Sequence, residues 1–297
     1  MVRKMTLEEL IHKWFTEDKD LAGLLTTFAE RPAVFFQSAP ADNQKGWGPA
    51  GQYPRIVYAI DMQADQERKS AGTMEISLLC DESGIPPEGI EPTVKKCLKD
   101  LLIRPDGGFP YCFAWARTDS FEISTRETGS DTKVIGMEIR FDILEYVSQE
   151  TTDPDPVVAL NQYIKAEMPE TFVLGADHIE HFLVAETKSP VFYCRLDSVE
   201  KSRETNTVAW MDGKIAVHVL CPAADIRLKW LMALANSLSL AGEVVMLDKS
   251  PMKINRLQVN TKADYLKEGQ LLVTARYGLL RYKNKPHIIT EVNTNFR

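Results

Sequence analysis

The sequence predicts an α+β fold made of two tandem similar domains, each a mainly antiparallel sheet with a long β-hairpin arm packed by helices. Three observations predict it. One apolar-alternating phrase occurs twice: Met74 to Cys80 and Ile215 to Cys221 both alternate, both end on a cysteine, and the cysteines stand 221 − 80 = 141 positions apart. The patterns around the two phrases follow one order. Offsets between corresponding elements are nearly constant, at 136 for Pro54/Pro190 and for Ile90/Ile226 and 134 for Met137/Leu271.

The expected divisions are residues 1–148 for the first copy, 149–156 for a linker, 157–283 for the second copy and 284–297 for a C-terminal tail. In the first copy, Leu7, Leu10, Ile11, Trp14 and Phe15 have helical spacing, and Thr6 with Glu9 makes a capping box. Leu21 to Ala29 reads as a second short helix, Ala33 to Phe36 as a strand, and 37–52, holding Trp47, as a loop. A strand with Ile56, Tyr58 and Ile60 follows Pro54, and the polar stretch Asp61 to Thr73 reads as the first hairpin arm. After Cys80 a helix is expected through Ile90, Val94, Cys97, Leu98, Leu101 and Leu102. Cys112 to Trp115, Ser120 to Ser124 and a run led by Gly136 then read as strands, with a turn at Arg126 to Asp131.

Ser148 to Pro156 is polar, holds two prolines and lacks an apolar anchor, as a linker would. The second copy opens with a helix at Val157, Leu160 and Ile164. A strand follows Pro190, and Asp197 to Asp212 reads as a longer second arm. Beyond Cys221 the helical positions are Ile226, Trp230, Ala233, Leu234, Ser237 and Leu238. Val244 to Leu247, Ile254 to Val259 and Leu271 to Leu279 are expected strands. The tail carries Ile288, Ile289 and Val292, and reads either as disordered or as a strand added to a neighbouring subunit.

A chain of 297 residues, 44% hydrophobic and 26% charged, has the composition of a folded protein with about two domains. No run approaches the ~18 apolar residues of a membrane span, so no membrane partner is expected. Met1-Val2-Arg3-Lys4 leads into a Glu-rich amphipathic segment rather than an apolar signal core, so the expected compartment is cytoplasmic. Net charge is −7 and uneven: residues 1–150 hold 17 Lys+Arg against 25 Asp+Glu, and 151–297 hold 18 against 17. No basic stripe is visible, which argues against direct nucleic-acid binding. The asymmetry suits polar, oriented protein assembly and equally suits two ordinary solvated surfaces. Five cysteines, with no CxxC and all in apolar patterns, read as buried free thiols.

The phosphate-cradling glycine motifs and the GxSxG elbow are absent. Asp177-His178-Ile179-Glu180-His181 is the one arrangement to weigh as chemistry. Its histidines would share a helix face as metal ligands do, but the HxxH pair lacks a third ligand at known spacing and reads as a solvated helix face. His218 falls in step with Ala216 and Leu220, on the face opposite Val217 and Val219, and reads as a half-exposed sheet residue. No catalytic residue, no metal site and no cofactor is therefore expected. The charged arms are the remaining candidates: Asp61, Asp65, Glu67, Arg68 and Lys69 in the first, and Asp197, Glu200, Lys201, Arg203 and Glu204 in the second, with Trp210 as an anchor. Mixed charge between two strands is either a solvated hairpin or a contact that fixes subunit register.

Tyr53-Pro54-Arg55-Ile56-Val57-Tyr58, Met74 to Cys80 and Gly136 to Tyr146, in this order of elements, resemble the tail-terminator or tail-completion (neck) proteins of bacteriophages and phage-like contractile particles. The resemblance covers most of 6–148 and, more faintly, 155–283. It implies a structural protein rather than an enzyme: a homo-oligomeric ring on the end of the tail tube, facing tube and sheath subunits on one side and neck or collar proteins on the other. It implies assembly in the bacterial host cytoplasm and then a place in the virion or tail-like particle. The family's single domain occurs here twice, so three chains would make a pseudo-sixfold ring or six chains two layers, and the charge split favours two non-equivalent layers. The alternatives are another head–tail connector or sheath-initiating subunit, and an enzyme with Asp177, His178 and His181 as its site.

Overall fold

The computed structural model describes residues 4–63, 70–123, 133–148 and 152–281. The fold is α+β. The helices are α1 (Leu7–Glu17), α2 (Lys19–Ala22), α3 (Pro87–Leu98), α4 (Pro156–Glu167) and α5 (Ala224–Ala241). In the first half the strands are β1 (Thr27–Phe28), β2 (Arg31–Pro32), β3 (Val34–Phe36), β4 (Arg55–Met62), β5 (Gly72–Asp81), β6 (Leu101–Ile103), β7 (Tyr111–Ile123) and β8 (Val134–Glu145). In the second half they are β9 (Phe172–Val173), β10 (Phe182–Val184), β11 (Val191–Glu204), β12 (Val208–Leu220), β13 (Glu243–Val245), β14 (Pro251–Val259) and β15 (Leu271–Leu280).

One sheet runs β10-β6-β7-β8-β5-β4-β3 and the other β13-β14-β15-β12-β11-β9. Without β10 the two walks are the same, and the repetition holds rung by rung. A short parallel strand closes each sheet, with Val34 opposite Ile56 and Val173 opposite Phe192. Ile143 faces Gly72 as Ala275 faces Gly213, and those glycines are again 213 − 72 = 141 positions apart. The corresponding strands β7 and β14 each have a register break, between Trp115 and Arg117 and between Ile254 and Arg256, and β11 has two more, between Leu196 and Ser198 and between Lys201 and Arg203.

Each sheet has its own helices on one face. Leu10, Ile11 and Phe15 of α1 and Ile90, Val94 and Leu98 of α3 bury against the inward residues of β4, β5 and β8. Leu160 and Ile164 of α4 and Leu231, Leu234 and Leu238 of α5 do the same over β11, β12 and β15. Each such side chain, fully buried, contributes about 1.5–3 kcal/mol. The capping box of α1 is formed: Thr6 Oγ1 accepts from Glu9 N–H at 3.4 Å, and the Thr6 N–H donates to Glu9 Oε2 at 3.2 Å.

A third apolar cluster joins the halves. Leu102, Cys112, Ala114, Leu144 and Tyr146 pack with Leu174, Val191, Tyr193, Leu220 and Leu266. Strand β10 comes from the second half in sequence yet pairs with β6, Leu183 lying opposite Leu102. It covers what would otherwise be an edge of the first sheet.

Several expectations are corrected here. The helix after Cys80 stops at Leu98: Asp100 takes a left-handed φ of 55°, and Leu101 and Leu102 belong to β6. Leu21 to Ala29 is not one helix. The chain leaves α2 at Ala22 and makes the β1–β2 turn through Ala29 and Glu30, both at positive φ. Pro154, Asp155 and Pro156 are buried, and Asp155 caps α4 through Val157 N–H at 2.8 Å and Val158 N–H at 3.0 Å, so this end of the expected linker is anchored. The buried stripe of α5 is Leu231, Leu234, Ala235 and Leu238, while Ala233 is exposed. All five cysteines are free and buried, as expected. The tail and the turn at Arg126 to Asp131 lie outside the described residues.

Candidate functional site

The second arm is a regular hairpin. β11 and β12 pair from Val191 opposite Leu220 to Glu204 opposite Ala209, and β12 pairs on its other side with β15 as far as Val208 opposite Leu280. β9 reaches only Val191 and Phe192, so among the described residues the outer edge of β11 is unpaired beyond Phe192. Such an edge is a template for another chain unless charge blunts it. Here the charge is dense. Lys201 pairs with Glu204, and Arg281 pairs with the same carboxylate. Asp197 pairs with Arg195 at 3.4 Å, and Glu200 sits opposite Asp212. The Arg203 guanidinium lies 5.5 Å from the Trp210 ring centre, placing both on the face turned away from the helices.

That face also holds a pair the sequence reading missed. Arg276 donates through Nε to Asp212 Oδ1 at 2.7 Å and through Nη2 to Oδ2 at 2.8 Å. The guanidinium holds the Asp212 carboxyl below the usual carboxylate range. The polar positions of β15, alternating with the Val273, Ala275 and Tyr277 core, carried the signal. Lys253 and Arg276 are opposite one another, as are Arg256 and Thr274, and Lys214 and Thr274.

In the first arm, β4 reaches Met62 and β5 starts at Gly72, with Asp61 exposed and opposite Thr73. Asp65, Glu67, Arg68 and Lys69 lie outside the described residues.

The Asp177–His181 segment is a loop between β9 and β10, not a helix. Asp177 is engaged by Lys165 at 2.8 Å and by the Val173 N–H at 2.9 Å. His178 Nδ1 lies 2.8 Å from Arg104 Nη1, and His181 Nδ1 lies 3.3 Å from the Arg104 carbonyl oxygen. The segment thus fastens the strand β10 addition. A cavity of about 480 Å³ beside it is lined by Arg104, Phe109, Asp177 and His178. Among the described residues no group of three or more His, Cys, Asp or Glu side chains is placed to hold a metal ion.

A polar knot is buried where the halves meet. Tyr265 donates to Asp100 Oδ1 at 2.7 Å, and the Arg227 guanidinium stacks 3.7 Å from the Tyr265 ring centre. His218 is not half-exposed as expected but 1% exposed, because the 260–270 loop folds over it. Beside it a cavity of about 430 Å³ is lined by Tyr146, Tyr193, Arg195, His218 and Glu268. Burial raises the Asp100, Cys112 and Tyr146 pKa values, which keeps the Cys112 thiol and the Tyr146 phenol protonated near neutral pH.

In comparisons with known proteins, no family model and no curated protein matches the chain. Among the described residues no helix is long and apolar enough to cross a membrane.

Proposed function

We propose that this protein is a structural subunit that associates with copies of itself into a ring of three or six chains. The ring would terminate the tail tube of a phage or phage-like contractile particle and join it to a collar or neck. It would assemble in the host cytoplasm and then become part of the particle. The observation that carries this reading is the β11–β12 hairpin. Its strands run 14 and 13 residues, one outer edge is unpaired past Phe192 among the described residues, and its polar groups are aligned in cross-strand rows. Such a hairpin offers charged rows that fix register and partner choice between copies. The resemblance in element order to tail terminators supplies the class of particle.

The test is to replace residues 200–212 by Asn-Gly, a two-residue turn that closes the shortened strands. Light scattering on the purified chain should show a ring mass for the wild type and a single-chain mass for the variant, with the far-ultraviolet spectrum retained. A variant that keeps the wild-type ring mass would remove the hairpin from the assembly.

A further inference from the structure

Each sheet has an outer face turned away from its helices, and within the chain one end of one such face covers the opposite end of the other. At the hairpin end of the first sheet this face carries Cys112, Ala114, Leu144 and Tyr146. They are buried against Val191, Tyr193 and Leu220 at the base of the second sheet's outer face. The contact is therefore head-to-tail: hairpin end of the first repeat on base of the second.

Among the described residues the converse pair of surfaces is not joined within the chain. Ile56 opposite Leu78 matches Phe192 opposite Val219, so Val57 stands where Tyr193 stands and Leu79 where Leu220 stands. Around Val57 and Leu79 lie Tyr53, Val134, Phe121 and Ile123, an apolar cluster separate from the two cores. It is the first repeat's version of the base that the second repeat uses for docking. At the other end, Cys112 opposite Leu144 matches Lys253 opposite Arg276, and the Tyr146 position falls on Gly278. This hairpin end of the second sheet also holds Trp210, half-buried, and Leu280, 66% exposed.

Charge fits the same pairing. On the second-sheet hairpin face stand Arg203, Lys214, Lys253, Arg256 and Arg276 against Glu200, Asp212 and Glu243, which is 5 − 3 = +2. On the first-sheet base stand Arg55, Arg117 and Arg140 against Asp42, Glu75, Asp81, Asp119 and Glu138, which is 3 − 5 = −2. Arg55 is committed to Asp42 at 2.6 Å and Arg117 to Asp119 at 3.1 Å, so the excess acid there faces outward.

We propose that a second copy of this chain docks its second-sheet hairpin face on the first-sheet base of its neighbour, repeating between chains the contact that joins the repeats within one. This rests on the self-assembly reading above and names its surfaces. The inner contact is apolar and permanent. The outer one is charged, so it forms and releases with ionic strength. A contact of this kind is heterologous and generates a closed ring or an open filament according to its rotation.

Sedimentation velocity on the full chain tests it with two charge reversals, Lys253→Glu with Arg256→Glu, and Asp119→Lys with Glu138→Lys. Each pair alone should weaken association at least about tenfold at low salt, and the chain carrying all four should recover to within about threefold of wild type. The recovery shows that the reversals do not act through misfolding. A wild type that associates while all variants match it overturns this interface and leaves self-assembly standing. A wild type that stays a single chain at every concentration overturns both.

Discussion

The Arg195 guanidinium donates through Nε to Nε2 of His218 across 3.2 Å. The other ring nitrogen, Nδ1, lies 2.9 Å from the Tyr265 carbonyl oxygen, which can only accept. The partners therefore fix a neutral imidazole with its proton on Nδ1. Tyr146 and Tyr193 close over the ring at 5.9 and 5.4 Å between centres. Burial, with Arg195 adding to it, outweighs the hydrogen bond that His218 donates to the Tyr265 carbonyl and pushes the His218 pKa down to about 4.

This gives the junction an acid limit. Above an unfolded-state value near 6.5 the histidine is neutral folded or unfolded, and its stabilising effect is complete. As pH falls from about 6.5 to about 4 the unfolded chain takes up a proton that the folded ring refuses, at a cost of about 3 kcal/mol. Melting temperature should fall through that window, and His218→Gln should flatten that part of the profile. Parallel profiles for the two proteins would show that His218 does not set the limit.

Gly72 and Gly213 share a ladder position but not a tolerance. A Cβ at Gly72 would stand 2.4 Å from the Asp61 carbonyl oxygen, whereas at Gly213 the nearest atom is a Tyr277 ring carbon at 3.4 Å. Gly72→Ala should destabilise by about 2 kcal/mol or more, and Gly213→Ala by less than about 1 kcal/mol. Urea denaturation of both variants measures the difference. Equal losses would contradict the close backbone approach at Gly72.

Asp100 is 2% exposed, and among the described residues its Oδ2 has no hydrogen-bond partner. Burial raises its pKa, against the donation from Tyr265. A raised acid stabilises the fold in its protonated form, and that contribution is lost as pH climbs from the ordinary carboxylate range towards the raised value. Asp100→Asn keeps the oxygen that Tyr265 uses and suits the left-handed backbone. The variant should melt higher than wild type at pH 7, and the gap should close as pH falls below about 4. A gap independent of pH would place the effect elsewhere than in the charge.

How much of this is legible before folding differs by element. The twin cysteine-ended strands, the capping box at Thr6 and Glu9 and the two helix-bearing halves follow from local periodicity, which survives folding because each sheet buries one face. The lengths of α3 and α2 do not. Leu101 and Leu102 continue the helical spacing, and only the left-handed turn at Asp100, held by long-range pairing of β6 with β7 and β10, takes them out of it. His218 alternates like an outward residue and is outward, but the 260–270 loop and the Tyr146 side chain cover that face. The Arg276–Asp212 pair joins positions 64 apart in sequence, which no short-range pattern carries. The arm charges were visible, while their division into a basic face on one repeat and an acidic base on the other needed the register.

The central claim is self-assembly into a ring, and the most direct measurement is the mass of the purified chain in solution, followed by negative-stain imaging of the same peak. The account predicts three or six chains of 33.5 kDa, roughly 100 or 200 kDa, and closed rings in the images. A mass of 33.5 kDa at every concentration and ionic strength, with no rings in the images, would contradict it.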